Sequence, residues 1–223
     1  MGEITAISPL GQSITQCVKD LDLRINLEIG SWDGTGATRC FIDAMKDFRE
    51  KSLTCLEIDK KKFDDLVKNV KEYPWVKCYN RSSIDCNKLI DFGFDRIWKS
   101  PFNTLAHTNH KEEMIHQWYN TDVQVMKKHP HGFLEEDTTI YDGVLIDGGE
   151  FTGYFEFELL KDRTNVFFLD DSYRAYKTKK ACLFLSEDLE WEHVASGHQR
   201  EWNSQLRNGF DVFKRKEFIK HKR

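Results

Sequence analysis

An α/β chain with an open, mostly parallel seven-stranded sheet is predicted by three observations. Short apolar runs end in glycine or acidic residues, helical patterns separate them, and two alternating segments close the chain. Helices on both faces make three layers, α/β/α, and the two last strands form an antiparallel hairpin at the sheet edge. The first run is INLEI, 25–29, followed by Gly30 and the loop SWDGTG. ATRCFIDAMKDF then places Cys40, Phe41, Ala44 and Met45 on one helical face. SLTCLEI, 52–58, is the second strand. Asp59 suits an N-cap, the next helix carries Phe63, Leu66, Val67 and Val70 at helical spacing, and Pro74 ends it. WVKCYN is the third strand. YDGVLID, 141–147, and NVFFLDD, 165–171, are the fourth and fifth, each followed by a helical pattern, GEFTGYFEFELL and RAYKTKKACLFL. WEHVASG and GFDVFKRK supply the hairpin.

One stretch breaks this rhythm. The segment from Arg81 to Ile140 is too long for a connection in a compact domain, where loops beyond about 15 residues are functional or carry structure of their own. It holds a helical pattern through Met114, Ile115, Trp118, Val123 and Met126 and reads as an inserted helix plus a loop, the candidate substrate-binding element. Its aromatic residues Trp98, Phe102, Trp118 and Tyr119 could stack on a ligand or form the insert's own core.

At 223 residues the chain suits a single domain, 1–223, with this insertion at about 81–140. Lys+Arg 33 against Asp+Glu 37 leaves a formal charge of −4, which argues against a surface built for phosphate backbones. No apolar run approaches the roughly 20 residues of a membrane helix, and the N-terminus lacks a signal-peptide pattern. Six dispersed cysteines without a C-x-x-C pair are expected to be buried reduced thiols, pointing to the cytoplasm, and the eight histidines show no zinc spacing.

Ligands of open α/β sheets bind beyond the carboxyl ends of the strands. There the sequence concentrates acids: Glu28, Asp33, Glu57, Asp59, Asp85, Asp147, Glu150, Asp170 and Asp171, beside Gly30, Ser31, Gly34, Ser82 and Ser83. The first loop has neither the G-x-G-x-x-G spacing of dinucleotide sites nor the G-K-[ST] of a phosphate loop, which disfavours a dinucleotide oxidoreductase. An acid just before the first glycine repels a pyrophosphate but suits a cationic ligand. Glu57, at the end of the second strand, is placed to accept hydrogen bonds from ribose hydroxyls. A nucleoside with a cationic end, such as S-adenosylmethionine, meets both conditions.

LEIGSWDGTGA, LEID, NRSSID and LIDGGE, in this order, resemble class I S-adenosylmethionine-dependent methyltransferases, a Rossmann-like family. The resemblance implies that Glu28, Gly30 and Gly34 line the methionine end of the donor, with Ser31 of the same loop among the cofactor contacts. It also implies that Glu57 holds the ribose and that Ser83 and Asp85 bracket the adenine. LIDGGEFTGYFEFELL with NVFFLDDSY is similar to the metal-dependent O-methyltransferases of the macrolide-sugar and catechol types. That similarity implies Asp147, Asp170 and Asp171 as ligands of Mg2+ or another divalent cation. Three such carboxylates repel one another unless a cation joins them. Glu150 stands where some of those enzymes carry a histidine base, and Glu150 with Asp147 are the expected catalytic residues.

The expected function is therefore methyl transfer to a hydroxyl of a small molecule or glycan, preferably a sugar, with a homodimer possible. Two rival readings stay open. The basic tail KRKEFIKHKR could contact nucleic acid, and a methyltransferase-like fold could serve as a non-catalytic binding module.

Overall fold

The computed structural model describes residues 4–100, 111–173, 177–202 and 205–219. Its seven strands are β1 (Ile25–Ile29), β2 (Ser52–Leu56), β3 (Val76–Tyr79), β4 (Tyr141–Ile146), β5 (Thr164–Leu169), β6 (Trp191–Trp202) and β7 (Gln205–Arg215). They form one sheet in the order β3-β2-β1-β4-β5-β7-β6. The first five are parallel, and β7 lies antiparallel between β5 and β6. Strand order reverses between β1 and β4, which opens a crevice at their carboxyl ends. β4 and β5 are buried along their whole length, as strands covered on both faces must be, and this is why YDGVLI and TNVFFL read as near-continuous apolar runs.

Two cores lie on the two faces of the sheet. One packs α1 (Pro9–Asp20), α2 (Ala37–Met45) and α3 (Lys60–Val70) through Leu10, Ile14, Phe41, Met45, Leu66 and Val70. The other packs α4 (Cys86–Phe92), α5 (Phe94–Trp98), α6 (Glu112–Met126), α7 (Gly153–Leu160) and α8 (Lys179–Glu187) through Leu89, Phe94, Ile115, Val123, Phe157 and Leu185. All six cysteines are unpaired, and all but Cys78 are buried. Among the described residues no helix is long and apolar enough to cross a membrane.

The structure departs from the sequence pattern at element ends. α1 precedes the first predicted strand; Ser8 caps it, accepting from the Gly11 N–H (3.2 Å), and Pro9 opens it where no N–H is needed. β6 and β7 pair from Trp191 opposite Arg215 to Trp202 opposite Gln205, beyond the apolar alternation, because a hairpin ladder is held by backbone bonds. α7 begins at Gly153, so Glu150 stands in a loop. α8 begins at Lys179, because the two residues before it turn inward: Lys177 is buried and Thr178 Oγ1 donates to the Asp170 carbonyl (2.7 Å).

Among the described residues the insert contains three helices, α4 to α6. Tyr119 is buried and donates its hydroxyl to the Leu89 carbonyl (2.9 Å), and Trp98 stacks on Phe94 (ring centroids 6.1 Å). Tyr119 belongs to the core of the insert, and the half-buried Trp98 packs against that core. Phe102 lies outside the described residues.

Candidate active site

A cavity of about 610 Å3 opens at the carboxyl ends of β1, β2, β4 and β5. That volume suits a drug-sized or nucleoside-sized ligand. The strand ends are held in step by backbone bonds: Gly30 and Ser31 donate to the Leu56 carbonyl, Asp147 to Ile29 and Asp170 to Ile146. Gly30 has φ +88°, and a Cβ there would lie 2.2 Å from the Asp147 carbonyl oxygen. Only glycine permits this crossing, which leaves backbone as the cavity floor.

The cavity wall brings together seven of the expected site residues: Gly30, Glu57, Ser83, Asp147, Glu150, Asp170 and Asp171. Glu57 Oε2 accepts the Trp32 N–H and Oε1 the Asp59 N–H, both at 2.8 Å, so one carboxylate ties the first loop to the second. Burial raises its pKa, and these two N–H groups pull it back. Each oxygen retains acceptor capacity toward a ligand hydroxyl.

Four expected cofactor residues are not in the wall. Glu28 is buried in the core at 1% exposure, where Thr38 Oγ1 donates to its Oε2 (2.7 Å). Burial pushes its pKa up to about 7, against the hydrogen bonds from Thr38 and its neighbours. Ser31 is buried, bonded to the Glu28 carbonyl (3.4 Å). Gly34, at φ +76°, lies against Leu66 of α3, and Asp85 caps α4 by accepting the Asn87 N–H (2.7 Å). These four support the cavity from behind or serve the fold. Asp59, likewise, caps α3 through the Lys62 N–H (2.9 Å) while its edge reaches the cavity.

Asp147, Asp170 and Asp171 converge, but on an ammonium. Lys177 Nζ lies 2.9 Å from Asp147 Oδ1, 3.0 Å from Asp171 Oδ2 and 3.6 Å from Asp170 Oδ2. Its side chain is 4% exposed. Burial lowers the pKa of this lysine, yet Asp147, Asp171 and Asp170 together outweigh burial and raise it, so it is charged. Burial also raises the Asp147 carboxyl; Lys177 pulls it down and Asp170 pushes it up again. The arrangement does not fit a divalent cation, because the point where the carboxylates meet is filled by Nζ. Among the described residues no group of three or more His, Cys, Asp and Glu is arranged to hold a metal. The three expected metal ligands thus meet on Lys177, and the repulsion among them is relieved by a side chain of the chain itself.

Two further carboxylates escape sequence reasoning. Asp122 of α6 lines the cavity beside Glu150, and one of its oxygens is buried without a hydrogen-bond partner. Burial and the charge of Glu150 push its pKa up to about 6. Its only sequence signal is an acid between Tyr119 and Val123, at the border of the buried stripe of α6. Glu156 of α7 is fully buried and accepts from Ser83 Oγ, which fixes Ser83 at the cavity edge.

Three solved structures share this architecture. The O-methyltransferase TomG of Streptomyces achromogenes, crystallised with S-adenosylmethionine, is 12% identical; the match covers 93% of this chain and 79% of TomG with a TM-score of 0.56. A methyltransferase of Geobacter sulfurreducens is 10% identical over 92% and 78% of the two chains, TM-score 0.53. The Podospora anserina methyltransferase PaMTH1, bound to S-adenosylhomocysteine, is 11% identical over 93% and 78%, TM-score 0.52. The fold is that of the class I S-adenosylmethionine-dependent methyltransferases. No protein-family model matches the sequence, and no curated protein matches it. The 610 Å3 cavity lies at the strand-order reversal between β1 and β4, where open α/β sheets as a class offer a crevice for ligands.

Proposed function

We propose that this chain is an S-adenosylmethionine-dependent O-methyltransferase acting on a hydroxyl of a small molecule or glycan. The observation that carries this reading is the cavity at the strand-order reversal, with Glu57 on its wall and the glycine crossing at Gly30 on its floor. The donor set fits the methyl donor: Glu57 can accept from ribose hydroxyls, Ser83 stands at the edge of the same pocket, and the acidic wall suits a sulfonium. When bound, S-adenosylmethionine supplies a methyl group on a sulfonium that departs as a neutral thioether.

The chain's own residues orient the acceptor and take its proton. Glu150 and Asp122 both line the cavity and lie within electrostatic reach of each other, and Glu150 is the proposed base. Asp122, whose pKa burial and the charge of Glu150 raise, is the second candidate, since a raised carboxylate is a better proton acceptor near neutral pH than an ordinary one. Asp147, held by Lys177, is proposed to accept a hydrogen bond from the acceptor hydroxyl. The carboxylates around the cavity favour a neutral or cationic acceptor, such as a sugar, over a polyphosphate strand. No step is assigned to a metal.

The test is calorimetry with S-adenosylhomocysteine, followed by transfer of labelled methyl groups to a panel of hydroxyl acceptors that includes cis-diol sugars. Binding of the product nucleoside and label on an oxygen are expected. Absence of nucleoside binding overturns the reading in favour of a non-catalytic module. Label on RNA but on no small acceptor overturns the choice of acceptor.

A further inference from the structure

We propose that Lys177 takes the place of a divalent cation in this site, so that the chain holds its three strand-end carboxylates with an ammonium of its own and works without a metal. The functional half of this proposal rests on the methyl-transfer reading above.

The geometry is that of hydrogen bonds. Asp147 and Asp171 oxygens stand 2.9 and 3.0 Å from Nζ, lengths proper to N–H donors. A magnesium ion would need oxygens at about 2.0–2.1 Å and room for several waters. The ammonium donates hydrogen bonds to Asp147 and Asp171, and Asp170 stands 3.6 Å away as a third, ion-pair partner. The lysine is also anchored through its backbone. Its carbonyl oxygen lies so close to Gly153 that a Cβ on that glycine would meet it at 2.6 Å, and the next residue, Thr178, donates to the Asp170 carbonyl (2.7 Å). The ammonium is therefore built in from two sides, by the start of α7 and by the end of β5.

Lys177 is a positioning residue. It fixes Asp147 and Asp171 at the cavity wall and neutralises part of their charge, but it offers the acceptor no Lewis acid. Removal of the acceptor's proton then falls to the carboxylates at the cavity wall. A chain built this way has a latent metal site: deletion of the ammonium leaves three carboxylates facing a space that a hard cation can enter.

Electron paramagnetic resonance of Mn2+ reads this directly. The wild-type chain should leave the free Mn2+ signal undiminished, and neither EDTA nor excess Mg2+ should move its melting temperature or its methyl-transfer rate. Lys177→Ala should take up one Mn2+ and gain thermal stability from it, and Asp171→Asn in that background should abolish the uptake. Stoichiometric uptake of Mn2+ by the wild-type chain, lost in Asp170→Asn, overturns the proposal. So does a folded Lys177→Ala that binds no Mn2+. If Lys177→Ala does not fold even with Mn2+, the wild-type measurement decides. Wild-type chain that fails to bind S-adenosylhomocysteine refutes the methyl-transfer reading while the Mn2+ result still judges the ammonium. Chain that binds both the nucleoside and Mn2+ refutes the ammonium alone.

Discussion

The acids at the two halves of the cavity are compensated by different physics. On the β1–β2 side, Glu28 and Glu57 sit among neutral donors, a threonine hydroxyl and two backbone N–H groups, and burial raises the pKa of both. On the β4–β5 side, Asp147, Asp170 and Asp171 surround a charged lysine. Neutral donors hold an acid but leave its charge uncompensated, so that half should be sensitive to pH. An ammonium compensates part of the charge, though burial still holds the Asp147 carboxyl well above its ordinary value, and this half should be sensitive to loss of the lysine as well. In the proposed reading the contrast also separates roles: Glu57 of the first half receives the donor's ribose hydroxyls, and Asp147 of the second, held by Lys177, receives the acceptor.

The largest expected effect breaks the second half. Lys177→Met leaves buried carboxylates without their cation, and removing one partner of a buried ion pair costs about 3–5 kcal/mol. Urea denaturation should show that loss, and adding Asp171→Asn should recover part of it. If the single variant is as stable as wild type, the ammonium is not the cation that holds the site.

Next comes the space between the halves. Glu150→Gln should lower kcat by about 10²-fold or more, the range for loss of a general base, with nucleoside affinity preserved. If kcat is unchanged, the base is Asp122, and the rate should then fall away below pH about 6, where the Asp122 carboxyl protonates.

The third expectation concerns Glu28. Its folded pKa of about 7 lies above the ordinary glutamate value of 4.5. The folded state therefore binds a proton in that window that the unfolded chain has released, and stability falls as pH rises from 4.5 to 7, by about 3 kcal/mol. Glu28→Gln should flatten that part of the stability-pH curve and raise the melting temperature at pH 8 relative to wild type. A wild-type curve already flat across the window would put Glu28 among well-compensated acids and erase the contrast between the halves.

The smallest effect sharpens the first half. Glu57→Ala should weaken S-adenosylhomocysteine binding by roughly tenfold or more, the loss of a hydrogen bond to a charged group being about 1.5–3 kcal/mol. An unchanged dissociation constant would remove Glu57 from the ribose role.

Much of this arrangement could be read from residue order. Apolar runs such as VLI and VFFL mark strands buried on both faces, and the period of Phe63, Leu66 and Val70 marks a helix that follows Asp59 as its cap. The acids at the strand ends announced an electrostatic problem to be solved. Element ends were less readable. Ser8–Pro9 is an N-cap signature that lacks a neighbouring strand to frame it, and Glu150 reads as helical because FTGYFEFELL continues in helical residues. Glu28 and Glu57 look alike in sequence, each near the end of an apolar strand. The pleat separates them: Glu28 lies within β1, under Thr38, while Glu57 lies one residue past β2 and reaches the cavity.

What the sequence determined by itself is the sheet, its crevice and the gathering of carboxylates there, because apolar period and strand-end chemistry are local. What only the tertiary structure decided is the identity of the cation. Lys177 is six residues beyond Asp171 and thirty beyond Asp147, in a stretch whose pattern continues into a helix. Only the turn before α8, pinned by Thr178 on Asp170 and by the close approach to Gly153, carries its ammonium into the acids. Electrostatics required a positive charge at that point, but which group would supply it depended on where the chain folded back.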